Sequence, residues 1–349
     1  MRRRAFLSFF IRRFLLFILV VWSAITINFI IPRFSPGNPI RQGIMARYGI
    51  QADQSMVNKL TEYYEGYFGL KDPLYVQYFR FIAHTFQGDL GYSIVNYPRL
   101  VSDMIAEKII WTLSLVLPAT AISALIGSLL GALFAFPRIP KAINVVVPGL
   151  ILFSAIPAFL AAVALIFVFA YKLNWLPLVG AYDPTFIPHV IPISPTASLP
   201  DYGHLPTLEQ ILKHSILPIA ALVLTQLGGW ALGMRGMMVT IQGEDYMTFA
   251  ETKGLTDRRL FGYTVRNALL PQVTGLGLAL SFSLTAGILV EVIFGYPGIG
   301  SLILGAIQNN DFPVIYAISL ILITFLAGST FVLDMIYPLI DPRITYERK

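Results

Sequence analysis

Residues 109–136 read IIWTLSLVLPATAISALIGSLLGALFAF and contain no charged side chain. About 20 predominantly apolar residues are enough to cross the hydrocarbon core of a bilayer as a helix. This stretch therefore predicts a membrane-spanning helix. Five further stretches have the same character, so the sequence predicts an all-α polytopic membrane protein with six transmembrane helices. The predicted spans are residues 9–31, 109–136, 145–171, 216–234, 272–293 and 314–339.

The composition agrees with a bilayer as the main solvent. Of the 349 residues, 56% are hydrophobic and 13% are charged, whereas soluble domains carry about 25% charged residues. The chain has no cysteine, which excludes disulfide scaffolds, cysteine nucleophiles and thiolate metal sites. The net charge of +6 is spread in short basic runs beside apolar segments, so we expect no nucleic-acid partner.

The basic residues predict the orientation of the chain. With a cytoplasmic amino terminus, 15 of the 25 Lys and Arg residues lie on the cytoplasmic side, as the positive-inside rule expects. Both termini are therefore predicted to be cytoplasmic. An uncleaved first span is favoured over a cleaved signal peptide, because residues 14–31 are long and lead into Pro32-Arg33 without a small-residue cleavage site.

The spans divide the chain into four predicted parts. These are residues 1–31 (cytoplasmic amino terminus and first helix), 32–108 (small external domain), 109–339 (five-helix core) and 340–349 (cytoplasmic tail). The core contains a proline-rich external loop, residues 172–213, and a cytoplasmic loop, residues 235–271.

Motifs for catalysis and for nucleotide or metal binding are absent from the sequence. None of the eight lysines follows a glycine, so there is no Walker A loop. The four histidines have no His-Glu-x-x-His spacing and no acidic partner at ligand spacing. Ser128 and Ser301 have no histidine in a neighbouring span, which disfavours an intramembrane hydrolase. We expect a chain that is not an enzyme and holds no cofactor or metal.

Charged residues inside spans are costly and often functional. Glu291 and Asp334 are the candidates, and both lie near span ends. A proton relay and a structural role in capping or pairing both remain open, and the structural role is favoured.

The predicted cytoplasmic loop reads RGMMVTIQGEDYMTFAETKGLTDRRLFGYTVRNALLP over residues 235–271. Its pattern predicts one short helix over residues 244–253, ended by Gly254, and a second that begins at Thr256 or Asp257. Acidic residues at the start of the first helix complement its dipole.

Tyr246, Phe249 and Ala250 form a short apolar stripe on the first of these helices. A helix of this kind can insert into the groove of a partner protein. It can equally lie on lipid headgroups, and the residues alone leave both interpretations open.

The loop resembles the EAA coupling loop of ABC-importer permease subunits. Ala250, Gly254 and the Leu270-Pro271 pair occupy the matching positions. Thr248 and Phe249 stand where the family pattern has Glu and Ala.

The resemblance extends along most of the chain. Nine segments are similar, in order, to the dipeptide/oligopeptide permease subunits of ABC importers. They are PGNP (36–39), LKDPL (70–74), GDLGYS (88–93), TL (112–113), EDY (244–246), KGL (253–255), EVIF with PGIG (291–294, 297–300), DFP (311–313) and DPRI (341–344).

The resemblance implies a type I ABC importer (MetI-like) permease core with an external domain after the first helix, in a prokaryotic cytoplasmic membrane. It implies an ATP-driven, binding-protein-dependent importer of dipeptides or oligopeptides, with oligosaccharides or nickel as alternative substrates. The implied partners are a second homologous permease, two ATP-binding subunits that hold ATP and Mg²⁺, an external solute-binding protein and membrane lipid. ATP hydrolysis would belong to the ATP-binding subunits.

Two groups of site residues are predicted, the first of them from the resemblance. The ATPase-coupling loop would comprise Glu244, Asp245, Tyr246, Phe249, Ala250, Lys253, Gly254 and Leu255. Separately from the resemblance, three glycines and a proline end the fifth span, which predicts an external re-entry near the mouth with Glu291, Pro297, Gly298 and Gly300.

Two further classes of function compete with the importer. An ion-coupled secondary transporter predicts inverted repeats and buried ionisable residues near the middle of the membrane, and neither is clear in this sequence. A purely structural membrane anchor would not need the loop at residues 235–271.

Overall fold

The computed structural model describes residues 2–34, 39–48, 54–67, 69, 71–136, 146–182 and 207–340. Apart from one isolated bridge between Tyr92 and Leu100, the regular structure of these residues is helical. The helices are α1 (Arg2–Phe34), α2 (Pro39–Tyr48), α3 (Gln54–Tyr67), α4 (Leu74–Phe86), α5 (Val101–Ala135), α6 (Val146–Ala155), α7 (Ala158–Leu165), α8 (Leu208–Gln242), α9 (Asp245–Thr252), α10 (Asp257–Phe294), α11 (Ile299–Gln308) and α12 (Phe312–Ile340). A π-helical segment, Ile166–Lys172, continues α7.

Among the described residues, five helices are long and apolar enough to cross a membrane. The corresponding segments are Leu7–Ile31, Val101–Ala135, Leu208–Gln242, Gly275–Phe294 and Phe312–Ile336. A bent pair, Val147–Ala155 with Ala158–Lys172, makes a sixth crossing if the pair counts as one span. The predicted all-α polytopic fold is confirmed.

The third predicted span is two helices rather than one. The chain bends by 104° between Ala155 and Ala158, where Pro157 takes an extended ψ of 139° and becomes the N-cap of α7. Proline has no N–H to continue a helix and disfavours helical backbone in the residue before it. The prolines at 118, 218 and 271 lie inside α5, α8 and α10, which continue through them.

Helices occupy most of the predicted cytoplasmic loop, residues 235–271, whose boundaries remain a prediction. Helix α8 continues to Gln242 and α10 begins at Asp257, so α9 and a few flanking residues form the whole connection. Residues 235–242 carry no proline, and Pro271 does not end α10. The two predicted short helices therefore correspond to α9 and to the start of a long span.

The chain packs as two compact units, residues 1–110, 277–282 and 301–349, and residues 111–276 and 283–300. In the first unit α1 packs against α12. Phe10, Phe14 and Phe17 pack around Phe331 with ring centroids 5.7–6.0 Å from it. Beside this aromatic cluster, Arg13 and Asp334 form an ion pair at 3.0 Å. Asp334 therefore has the structural pairing role that the sequence favoured.

The segment between α1 and α5 has a small core of its own. Its buried members are Ile40, Ile44, Val57, Tyr64 and Ile94. They come from α2, α3 and the turn after α4, so apolar side chains separated in sequence share one cluster. The predicted external domain, residues 32–108, lies within the first unit, and its boundaries remain a prediction.

The second unit has its core where α5, α7, α8 and α10 meet. Ala119, Ala162, Ala221, Leu222 and Val290 are buried there. Small residues let the helices approach: a Cβ on Gly131 would come within 2.1 Å of the Ala231 carbonyl oxygen. Glycines 127, 228 and 233 are similarly crowded, whereas Gly229 has open space.

Several sequence predictions lie outside the described residues. These are most of the proline-rich loop (residues 183–206), the carboxy-terminal tail after residue 340, and the motif residues 36–38, 70 and 341–344.

Candidate functional site

Helix α9 is held on a hydrophobic platform built from three other helices. Met247 is 4% exposed. It belongs to a buried cluster with Ala132 of α5, Met238 of α8 and Leu260 of α10. Because this cluster holds residues from the ends of three long helices, α9 packs against a platform that they share.

Two polar and aromatic contacts reinforce the platform. The Gln242 side-chain amide donates to the carbonyl of Ala135 at 3.3 Å. The rings of Phe136 and Phe261 meet edge to face with centroids 5.2 Å apart. The carboxyl end of α5 is thereby joined to both helices that flank α9.

The opposite face of α9 is open. Tyr246 is 42% exposed and Phe249 is 60% exposed. The ammonium of Lys253 lies 4.5 Å from the centroid of the Phe249 ring, a cation–π contact at the rim of the same surface. Glu244 and Asp245 are exposed at the amino-terminal end. An exposed aromatic pair framed by charge is a surface typical of a partner contact.

The carboxyl end of α9 has the two hydrogen bonds of a Schellman motif. Gly254 N–H donates to the Glu251 carbonyl at 2.9 Å, and Leu255 N–H donates to the Ala250 carbonyl at 3.3 Å. Gly254 has φ of +75°, a left-handed conformation that glycine adopts without strain. Leu255 and Ala250 both pack on the platform.

The structure brings the eight predicted coupling residues together but divides them between two faces. Ala250 and Leu255 are partly buried on the platform, so Ala250 does not belong to the exposed stripe with Tyr246 and Phe249. A turn of α9 places Ala250 beside Met247, a buried anchor that no sequence motif indicated. Their role as a coupling site remains a prediction.

Glu291 of α10 and Gly300 of α11, two of the four predicted external-mouth residues, are joined across the turn between these helices. Glu291 is completely buried, and its Oε2 accepts the Gly300 N–H at 2.6 Å. The hydroxyl of Thr112 accepts the N–H of Ile299 at 2.9 Å. A carboxylate beside the first N–H groups of α11 satisfies donors that the helix itself leaves free.

The same turn requires glycine. A Cβ on Gly298 would come within 2.3 Å of Glu291 Oε2, and one on Gly300 within 2.3 Å of the Ile288 carbonyl oxygen. Glu291 therefore has the capping role that the sequence favoured. The assignment of this turn to an external mouth remains a prediction.

Another pair of motif segments meets in the first unit. Asp311, 2% exposed, accepts hydrogen bonds from the Ser93 hydroxyl and from the N–H of Ile94 at 3.1 Å. Burial raises the pKa of Asp311, and these hydrogen bonds partly offset the rise. The GDLGYS and DFP segments are thus parts of one joint, about 218 residues apart in sequence.

A buried polar cluster in the second unit was not anticipated from the sequence. Thr120 donates to the Ser283 hydroxyl at 2.8 Å, which donates to Gln226 Oε1 at 2.9 Å. Polar side chains inside spans commonly join helices in this way. The one sequence feature that could have indicated this cluster is Gln226, a polar residue within an apolar stretch.

His84 corrects one expectation about the histidines. Its Nδ1 lies 2.8 Å from Asp89 Oδ2, so this histidine does have an acidic partner, because the turn after α4 brings position 89 back to the helix. Among the residues that the structure describes, no group of three or more His, Cys, Asp or Glu side chains is arranged to hold a metal ion.

In the part of the chain that the structure describes, five long apolar helices and one bent pair indicate a multi-pass membrane protein. Residues 104–346 match the family described as binding-protein-dependent transport system inner membrane component. The chain belongs to this family and is a permease subunit of a transport system.

Similar proteins cover nearly the whole chain. The oligopeptide transport system permease protein AppB of Bacillus subtilis is 29% identical over 97% of this chain and 99% of its own length. The probable D,D-dipeptide transport system permease protein DdpB of Escherichia coli is 33% identical over 94% of each chain. The glutathione transport system permease protein GsiC of Escherichia coli is 30% identical over 98% of this chain and 100% of its own.

Proposed function

We propose that this chain is the membrane-spanning permease subunit of an ATP-driven importer of peptides. The substrate class is supported by the names of the relatives, which specify oligopeptide, D,D-dipeptide and glutathione transport. Oligosaccharides and nickel are the alternative substrates of the same importer class. An ion-coupled secondary transporter is the alternative of a different class.

The assembly contains a second homologous permease, two ATP-binding subunits and an external solute-binding protein. The family is described as binding-protein-dependent, which supports a solute-binding protein as a partner. ATP and Mg²⁺ are bound by the ATP-binding subunits, where hydrolysis takes place. This chain supplies part of the path through the membrane and a contact surface for an ATP-binding subunit.

The open face of α9 is the observation that carries the proposal. Tyr246 and Phe249 enter a groove of one ATP-binding subunit, with Lys253 at the rim. Aromatic anchors on a rigid helix bind with little loss of side-chain freedom. Glu244 and Asp245 contact the edge of that groove.

The platform converts a push on α9 into movement of the spans. Met247 ties α9 to α5, α8 and α10, and the Schellman end fixes its exit. Closure of the ATP-binding subunits displaces α9 together with these three helices. ATP thereby biases an equilibrium between inward- and outward-facing states, as coupling requires.

The order of the spans supports the orientation that this mechanism needs. Counting the bent pair as one crossing, α9 follows the fourth crossing and shares a side with the amino terminus. We place both termini and α9 in the cytoplasm of a prokaryotic cell. The turn with Pro297 and Gly298 follows the fifth crossing and lies at the external mouth.

The direct test is purification of the tagged chain from its native membrane followed by reconstitution with the proteins that accompany it. The proposal expects two ATP-binding subunits, a second permease and a binding protein, and ATP-dependent accumulation of peptide in proteoliposomes. Accumulation of an oligosaccharide or Ni²⁺ without peptide would replace the substrate class. Transport that follows an ion gradient without ATP would overturn the importer.

The role of α9 is tested in the same preparation with Phe249→Asp. We expect loss of the ATP-binding subunits and of transport. Met56→Asp on α3 is the matched control, since it puts the same charge on another exposed apolar side chain, 46% exposed. Retention of both subunits and of transport by Phe249→Asp would contradict the assignment.

A further inference from the structure

Helix α4 has an exposed aromatic face that the transport function does not explain. Tyr75, Phe79 and Phe86 are 67%, 66% and 68% exposed. At 3.6 residues per turn these positions lie within about 40° of one another around the helix. Large aromatic side chains in one exposed stripe, outside the spans, mark an interaction surface.

The other two sides of α4 are different in character. Gln77, Tyr78 and Phe81 face α1, since all three contact its side chains. Arg80 and His84 form an exposed polar edge and pair with Asp72 and Asp89. The helix thus has a packed side, an aromatic side and a charged side.

The contacts with α1 fix the level of α4 relative to the membrane. The apolar span of α1 ends at Ile31, and Arg33 follows. Its guanidinium folds back over the last turn of the span and donates to the Phe29 carbonyl at 2.7 Å. Arg33 donates to Gln77 Oε1 at 2.8 Å and lies 3.4 Å from the Phe29 ring centroid. Gln77 therefore lies level with the outer end of the apolar span of α1.

Two more side chains of α4 contact residues within the apolar span of α1. The hydroxyl of Tyr78 lies 2.7 Å from Thr26 Oγ1, and the Phe81 ring is 5.9 Å from that of Phe29. Thr26 precedes Arg33 by seven residues, which is about 10 Å along a helix. Interfacial helices bury their apolar face to about this depth, between headgroups and acyl chains.

The surface of α1 next to this contact is itself lipid-facing. Ile27, Ile30 and Ile31 are exposed and belong to the apolar span. An aromatic stripe level with the end of the span continues this apolar surface. Tyrosine and other amphipathic rings are enriched at that level.

From this placement we infer that α4 is an interfacial helix whose Tyr75, Phe79 and Phe86 side chains insert into the outer boundary of the lipid bilayer. The charged edge with His84 faces water. The helix anchors the segment between α1 and α5 against the membrane surface.

The absence of cysteine from the chain makes the test direct. Single variants Tyr75→Cys, Phe79→Cys and Phe86→Cys are spin-labelled in the full chain with its co-purifying subunits, in nanodiscs of phosphatidylethanolamine and phosphatidylglycerol. Collision with dissolved oxygen and with a water-soluble nickel chelate is measured by electron paramagnetic resonance. His84→Cys on the same helix and Asn58→Cys on α3 are the controls.

The inference expects the three aromatic positions to lose access to the nickel chelate while oxygen access stays high, and both controls to remain accessible to the chelate. Chelate access equal to that of the controls would overturn it, because the face would be in water. Immobile labels shielded from both reagents would also overturn it, because a protein subunit would then cover the face. Each position is measured separately. If one variant fails to assemble, the other two still test whether the aromatic face lies in lipid.

Discussion

The backbone N–H of Leu255 donates to the carbonyl of Ala250 at 3.3 Å, and this bond closes the carboxyl end of α9. The turn depends on the positive φ of Gly254 between them. The exit from α9 is therefore set by the backbone, while the two side chains hold it against the platform.

Gly254→Ala should destabilise the folded chain by about 1–2 kcal/mol, because a side chain disfavours the left-handed conformation. A Cβ there meets nothing within 4 Å, so the cost is in the backbone alone. Gly254→Asn should cost less. Thermal unfolding in detergent, followed by size-exclusion chromatography, measures the order of these variants.

Gly243, on the other side of α9, is the matched control. Its φ of −82° suits any residue, and a Cβ would be 3.5 Å from the Thr240 carbonyl oxygen. Gly243→Ala should leave the unfolding temperature nearly unchanged. Equal losses at the two glycines would argue against a backbone origin.

Met247→Ala should separate the platform from the partner surface. Removing a buried Met side chain costs about 2–5 kcal/mol, so this variant should unfold at a lower temperature. Phe249→Ala removes an exposed ring and should change stability by less than about 0.5 kcal/mol, yet it should weaken binding of the ATP-binding subunit. The same thermal assay and a pull-down of that subunit measure the two effects, and a stability loss confined to Phe249→Ala would reverse the assignment of the faces.

Gly298→Ala should destabilise the turn after α10 by about 1–3 kcal/mol, as overpacking does, because its Cβ would collide with the Glu291 carboxylate. Gly305→Ala in α11 is the control. It has open space, and alanine is the better helix former by about 1 kcal/mol. We expect opposite shifts of the unfolding temperature, and a tolerated Gly298→Ala would show that the carboxylate is not held there.

Asp311→Ala should loosen the joint with the GDLGYS segment. It leaves the Ser93 hydroxyl and the Ile94 N–H without their acceptor, and each buried donor left unpaired costs about 1–3 kcal/mol. Asp311→Asn keeps one oxygen acceptor and should lose less. Hydrogen exchange in residues 91–100, compared with residues 74–86, measures the effect, and unchanged protection in Asp311→Ala would contradict the joint.

Local patterns in the sequence were enough to predict the spans and α9. Apolar stretches long enough to cross a bilayer predicted the spanning helices. Glu244 and Asp245 marked the start of α9, and Gly254 marked its end. The start of the next helix was also predicted, at Thr256 or Asp257, and α10 begins at Asp257 with Thr256 as its N-cap.

Contacts between distant segments were not predictable by periodicity. Ser93 with Asp311 and Thr112 with Ile299 each join positions more than 180 residues apart. All four of these segments belong to the motifs that resemble the family, but the motifs do not indicate which segments meet. Likewise, Met247 became an anchor and Ala250 left the exposed stripe only because of how α9 docks on three other helices.

The most direct test of the central claim is photo-crosslinking from α9 in the native membrane. A benzoylphenylalanine at position 249 should form an adduct with an ATP-binding subunit, and one at position 56 should not. Two results would contradict the claim: adducts with lipid alone, or no adduct in a chain that still transports. Either would mean that α9 is not the contact with the ATP-binding subunit, and lipid adducts would place it on the headgroups.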